Sequence, residues 1–349
     1  MRKLTTLTAA LLATAIAFPA ASAELRIGLQ DDADVLDPAQ SRTFVGRIVY
    51  TAMCDKLVDI SQEMKIVPQL ATEWNWSQDG KELTMTLREG VKFHDDTPFN
   101  AEAVVATIER NMTLPESRRK SELSSVEKVE ATGEHEVKFT LKSPDVTLLA
   151  QLSDRAGMIV SPKAAEELGA NFGSHPVCAG PLKFVERIQQ DRIVLEKFQD
   201  YWNADQVFLD KVTYLPIPDT TVRLANLRSG DLDIAERISA SDAAAVKADS
   251  SLTYADVIGP GYMAMYVNVG NGARAENPLG QDKRLRQAFS LAIDREAINQ
   301  IVFEGTAKGG NQPFPPTSPW FNQNLPVPAR DIAKAKELMK EAGHETLDV

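Results

Sequence analysis

Between Lys81 and Asn111 the chain changes period. Leu83, Met85 and Leu87 alternate with Thr84, Thr86 and Arg88, the two-residue repeat of a strand with one buried face. Glu89-Gly90 closes that strand. Beyond a turn at His94 to Thr97, Asn100 stands where an N-cap belongs, with Phe99 before it and Val104 at the fourth helical position, the spacing of a hydrophobic staple. Val104, Ala106 and Ile108 extend an apolar face, so a strand, a turn and a capped helix are predicted here.

The same reading applies along the chain. Leu25, Ile27 and Leu29 alternate in a first strand, which an acidic loop from Asp31 to Gln40 follows as a candidate ligand contact. A short helix is predicted over Phe44 to Met53 and a short strand over Leu57 to Ile60. Trp74 and Trp76 share a face if their segment is extended. Val137, Phe139 and Leu141 mark another strand. Ser161-Pro162 begins a helix that Gly169 stops. Two extended segments joined near Gln189 to Asp191 read as a hairpin. Asp219 caps a helix ending at Gly230, and a short strand follows around Leu232 to Ile234. A strand is predicted at Tyr262 to Asn268 and a helix from Asp282, with Leu285, Ala288, Phe289, Ala292 and Ile293 on its buried face. After a long Pro-, Gly- and Asn-rich loop from Lys308 to Pro328, a helix capped at Asp331 turns Ile332, Ala335, Leu338, Met339 and Ala342 inward. Strands and helices mixed without a strict repeat indicate an α/β protein in several lobes.

Composition narrows this picture. With 349 residues, 43% hydrophobic and 25% charged, the chain can form two or three domains with real cores. A formal net charge of −11 and no long basic run argue against nucleic acid and anionic membrane surfaces. Arg2 and Lys3, the apolar run Leu4 to Phe18, and Ala21-Ser22-Ala23 read as a secretory signal cleaved near Ala23. Export would place Cys54 and Cys178, the two cysteines, where a disulfide can form, although spacing alone leaves their pairing open.

Candidate chemistry is sparse. His94-Asp95-Asp96 and Glu134-His135-Glu136 lack the spacing of a zinc or calcium site and read as solvated turn and strand-edge positions. GxSxG, HExxH, Walker and GxGxxG motifs are missing from the sequence. A glycosidase carboxylate pair would be set in space and so leaves no linear signature. Arg155, just ahead of an apolar segment, can offer a forked guanidinium to a ligand carboxylate or pair with Asp154 at the surface. The four tryptophans divide between packing and stacking on a ligand.

The block running from Trp74 through DGKELTMTLREGVKFHDDTPFNAEAVV, then AGPLKF, FQDYWN, LDKVTYLPIPDTTVRLANLRSGDLDIA, DKRLRQAFSLAIDREAI and DIAKAKELMKEAG form an ordered series. In these segments the chain resembles the extracellular solute-binding proteins of family 5, the peptide and nickel class that serves ABC importers. The resemblance implies a type II periplasmic-binding-protein-like fold, two lobes hinged around a cleft, with an extra domain. It implies a signal peptide over 1–23, a first part of domain I over 24–55, an inserted domain II over 56–177, a second part of domain I over 178–268 and the start of domain III over 269–349. Three departures stand out: Asp96 where Gly is usual, Cys178-Ala179 and Leu182 around Gly180-Pro181, and an end after the EAG helix where family members continue. The last implies that the C-terminal part of the fold is missing from this chain.

By the same resemblance, the function is capture of a peptide or related small solute in the periplasm of a Gram-negative bacterium. Delivery would be to an ABC permease and ATPase complex in the inner membrane. A monomer without catalytic residues, metal or cofactor is expected. Asp34, Val35, Leu36, Arg155 and Tyr262 are the expected ligand contacts. Cys54 lies near the implied exit into domain II and Cys178 near the return, so a bridge between them would staple the base of that insert. The competing expectations are a secreted carbohydrate-active hydrolase and a truncated product that binds nothing.

Overall fold

The computed structural model describes residues 23–259 and 261–347, so the segment read as a signal lies, except for Ala23 of its cleavage site, outside the described residues. The chain divides into two compact units between Arg237 and Ile238.

The first unit contains β1 (Glu24–Leu29), α1 (Phe44–Met53), β2 (Val58–Ile60), β3 (Ile66–Pro68), β4 (Ala71–Trp76), β5 (Glu82–Leu87), α2 (Ala101–Thr113), β6 (Val126–Gly133), β7 (Glu136–Leu141), α3 (Leu148–Leu152) and α4 (Pro162–Leu168). It closes with β8 (Leu182–Ile188), β9 (Arg192–Lys197), β10 (Lys211–Pro216), α5 (Thr220–Ser229) and β11 (Ile234–Ala235). One sheet has the order β11-β1-β10-β9-β8, with β1 parallel to both its neighbours and the remaining pairs antiparallel. The other is antiparallel in the order β4-β5-β7-β6, and β2 and β3 form a separate ladder.

Local chemistry explains the elements. Leu83, Met85 and Leu87 of β5 are buried with Val137, Phe139 and Leu141 of β7, the alternation of a sheet with one covered face. Trp74 and Trp76 share a face of β4 and pack at the margin of that core. The Asn100 side chain accepts from the Ala103 N–H at 3.0 Å, and Phe99 and Val104 are buried as a staple requires. The buried stripe of α2 is Ala103, Val104, Thr107, Ile108 and Asn111; Ala106, expected in it, lies off the three-and-four spacing.

Two hydrophobic clusters form in this unit. One gathers residues from Leu57 to Ala179 around the antiparallel sheet, and the other joins α1 and the mixed sheet with Met158, Val160, Phe172 and Cys178. The chain passes between them near Cys54–Leu57, Met158–Val160 and Val177–Gly180. These passages are stitched together by the Cys54–Cys178 disulfide, with Cα atoms 4.9 Å apart, and by bridges from Lys56 to Met158 and Val160 to Cys178. Gly180 donates its N–H to the Met53 carbonyl at 3.0 Å, and a Cβ there would collide with that same carbonyl.

His94, expected to be solvated, is drawn into this seam instead. Its Nε2 lies 3.0 Å from the Gly180 carbonyl, Nδ1 accepts from the Cys178 N–H at 3.4 Å, and its ring meets Phe198 edge-on. The two neighbours together assign the Nε2–H tautomer. Burial foremost pushes its pKa down to about 4. Asp96 has φ 63°, the left-handed conformation in which Asp is among the better tolerated residues.

The second unit holds α6 (Ala240–Ala248), α7 (Pro278–Gln281), α8 (Lys283–Ala292), α9 (Arg295–Val302) and α10 (Ile332–Glu341). Ala288, Ala335 and Leu338 form its α8–α10 cluster, with Leu291 and Met339 partly buried. Ala292 and Ile332, expected inward, are exposed. The strand expected at Tyr262 to Asn268 does not form. That segment has the composition of a strand but pairs with no other among the described residues, and β propensity without a ladder does not make a strand.

Candidate functional site

In a sheet containing parallel strands, ligands favour the crevice beyond the strands' carboxyl ends. Here β1, β10 and β11 are parallel, and the loop after β1 carries Asp34, Val35 and Leu36. Asp34 accepts from the Ser41 hydroxyl at 2.7 Å, the Arg42 N–H at 2.7 Å and the Thr43 hydroxyl at 3.0 Å. Burial works to raise its pKa, but these donors and the Val35 N–H outweigh it and hold the carboxylate below its usual range. Asp34 therefore shapes the loop. The Val35 carbonyl accepts from the Tyr50 hydroxyl, and Leu36 is fully buried in the core, where its side chain presents nothing to a ligand.

The loop is fixed from beneath by Asp37. This fully buried carboxylate receives both terminal nitrogens of Arg110 on α2, at 2.7 and 3.1 Å, and the Ala39 N–H at 2.9 Å. Arg110 also lies 5.2 Å from the Phe172 ring centroid. A bidentate pair of this kind sets register as well as energy.

Arg155 is 8% exposed and donates to the Ser41 carbonyl at 3.2 Å and the Thr43 carbonyl at 3.4 Å. It has no ion pair with Asp154, which instead takes Arg47 at 2.6 Å. Arg119 donates to the same Ser41 carbonyl at 3.0 Å and pairs with Glu122. The Nε atoms of Arg47, Arg119 and Arg155 are all buried without a hydrogen-bond partner. Burial, and then the repulsion of Arg119, lowers the Arg155 pKa from its usual value. Three guanidiniums thus gather here, Arg47 on Asp154, Arg119 on Glu122 and Arg155 on backbone carbonyls, with the Asp34 carboxylate held on the neighbouring Ser41 and Thr43 hydroxyls.

Tyr262 belongs to the second unit, 53% exposed, and its hydroxyl accepts from Tyr266 at 3.0 Å. The expected contacts therefore divide: Asp34, Val35, Leu36 and Arg155 meet around the loop after β1, and Tyr262 lies outside that unit. Arg47 and Arg119 were missed in the sequence because no motif links them to Arg155. The local signal for Arg119 was its place in the basic triplet Arg118-Arg119-Lys120. Groups of three or more metal-ligating side chains are not found among the described residues.

A mixed sheet in which the first strand runs parallel to both its neighbours, beside a second antiparallel sheet, is the α/β layout of the type II periplasmic-binding fold. Residues 65–349 match the family described as bacterial extracellular solute-binding proteins, family 5 middle, and the chain belongs to that family. It is 32% identical over 312 residues to the glutathione-binding protein GsiB of Pectobacterium atrosepticum, covering 88% of this chain and 59% of that protein. Among solved structures it is similar to the periplasmic binding protein DppA of Helicobacter pylori in complex with the peptide STSA, at 28% identity and a TM-score of 0.80, over 93% of this chain and 66% of that one. It is also similar to the binding protein AgaA of A. tumefaciens in complex with agropinic acid, at 29% identity and a TM-score of 0.75, over 92% and 64%. The chain thus spans about 59% of the length of that curated relative. No helix among the described residues is long and apolar enough to cross a membrane.

Proposed function

We propose that this protein is the solute-capturing subunit of an ABC importer, exported to the periplasm with its leader cleaved near Ala23, and that it takes a small carboxylate-bearing solute such as a short peptide. The observation that carries this reading is the convergence of Arg47, Arg119 and Arg155, with three partnerless buried Nε atoms, beside the loop after β1. Glutathione, a free peptide and agropinic acid, the solutes named for the three relatives, all carry carboxylates, which a forked guanidinium matches. The partners are the solute and a membrane permease with its ATPase. Capture requires no bond to be broken.

Native mass spectrometry of protein isolated without added ligand, followed by calorimetric titration of the identified solute, tests this. Arg155→Ala is expected to weaken binding at least tenfold, the loss of about 1.5–3 kcal/mol typical of a charge-assisted hydrogen bond. Equal affinity in the wild type and the variant, with the fold intact, would remove Arg155 from the site.

A further inference from the structure

Phe44 is the first residue of α1, next to Thr43, whose carbonyl accepts from Arg155. The other apolar positions Val45, Val49, Tyr50 and Met53 face the core, but Phe44 is 50% exposed. Its ring is not idle surface. The guanidinium of Arg47, one helical turn on, lies 6.0 Å from its centroid, and that of Arg237 lies 5.5 Å away.

Arg237 reaches that position through an unusual backbone. It has φ 52°, a left-handed conformation that costs a non-glycine residue on the order of 1–2 kcal/mol unless its surroundings enforce it. The enforcement comes from Arg223, a fully buried side chain whose hydrogen bonds among the described residues all go to backbone carbonyls. Its Nε donates to the Glu236 carbonyl at 2.9 Å and its terminal nitrogens to the carbonyls of Arg237, Ile217 and Pro218. A buried guanidinium thus binds the turn after β11 to the end of β10, both at the carboxyl edge of the parallel strands. The Arg237 side chain is steadied by Glu236 at 3.1 Å and the Gln30 amide oxygen at 3.4 Å.

We propose that Phe44, flanked by Arg47 and Arg237, is a specificity-determining element that accepts an apolar or aromatic group adjoining the solute's carboxylate and rejects a cationic one. The chemistry is direct. A half-exposed ring offers apolar contact and edge-to-face packing to an uncharged side chain. Two guanidiniums already drawn to that ring repel a third cation brought against it. Arg223 acts as the positioning residue that holds Arg237 in place.

This inference rests on the reading of Arg155 as a carboxylate anchor, and one titration series separates the two. Calorimetric binding of the dipeptides Ala-Phe, Ala-Ala and Ala-Lys to the wild type is expected to rank them in that order. Phe44→Ala should erase the preference for Ala-Phe over Ala-Ala, a change of about fivefold, while Ala-Ala still binds. Arg237→Gln should bring Ala-Lys within about twofold of Ala-Ala. If the wild type binds Ala-Ala but shows no ranking, or if Phe44→Ala keeps it, the specificity element is overturned and the carboxylate anchor stands. If none of the three dipeptides binds to the wild type, both fall.

Discussion

The two units of this chain protect their apolar residues to different degrees. In the first, two clusters enclose the side chains of both sheets and of α1 and α2. In the second, Ala288, Ala335 and Leu338 are the buried members of the α8–α10 cluster, while Val257, Met263, Tyr266, Ile301 and Trp320 stand in solvent. Buried apolar area is the main favourable term in folding, and regions poor in it open at lower free energy. The first unit should therefore carry the cooperative unfolding transition. The second should exchange its amides sooner.

The largest expected break in that difference comes from the seam. The Cys54–Cys178 bridge spans 124 residues, and the chain-entropy treatment assigns such a loop about 5 kcal/mol as an upper figure. Replacing both cysteines by serine should lower the urea stability of the first unit by up to that amount. Two titratable thiols in exported, unreduced wild-type protein would show that the bridge is not present in solution. Next in size is Arg110→Ala, which strands the fully buried Asp37 without its cation. Removing one partner of a buried pair typically costs about 3–5 kcal/mol. A loss below about 1 kcal/mol in equilibrium unfolding would mean that solvent reaches Asp37 and that the loop after β1 is not anchored there.

What was legible in the sequence was what a few neighbouring residues decide. Asn100, Ser161, Asp219 and Asp331 all cap the helices expected of them, because each cap is a contact within three residues. The strand expected at Tyr262 to Asn268 depended on a partner ladder that its own pattern could not supply. His94 was misplaced as solvated because its partners, Cys178 and Gly180, return to it from the far end of the insert. Arg119 and Arg155 come from separate segments, and it is the fold that brings both to the Ser41 carbonyl and sets Asp154 against Arg47. Periodicity states what a segment is able to bury. It does not say whether a partner is present.

A third prediction concerns pH and sets two buried groups of the first unit against each other. Asp55 accepts from Trp202 Nε1 at 2.7 Å, the Tyr201 hydroxyl at 3.1 Å and the Gln69 amide at 3.1 Å, while the neighbouring Lys56 ammonium pairs with Asp59 instead. Burial pushes its pKa up to about 6, above the ordinary 3.8. The native state thus holds this proton more tightly than the unfolded chain does. Its contribution to stability is fully present below pH 3.8 and is lost as pH rises through 6, on the order of 3 kcal/mol in all. His94 has the opposite sign. Its native pKa of about 4 lies below the ordinary 6.5, so its contribution is present above pH 6.5 and is lost as pH falls through 4. The wild type should therefore change little between pH 6.5 and 4.5 on account of this pair. Asp55→Asn should lose stability relative to wild type on acidification, and His94→Gln should gain it. Parallel stability curves for all three proteins in urea titrations would refute the assignment.

The smallest effect gives the sharpest test of the contrast between the units, because the same chemistry occurs in both. Asn100 caps α2 in the first unit, and Asp331 caps α10 in the second by accepting from the Lys334 N–H at 2.9 Å. Replacing either by alanine should cost about 1 kcal/mol locally. At Asn100 that loss should appear in the main unfolding transition, since α2 is packed on the antiparallel sheet and opens only with it. At Asp331 the same loss should speed amide exchange along α10 about fivefold and leave the main transition where it was. If Asp331→Ala moves the main transition as far as Asn100→Ala does, the second unit is unfolding together with the first. Its exposed apolar residues would then not mark a separately opening region.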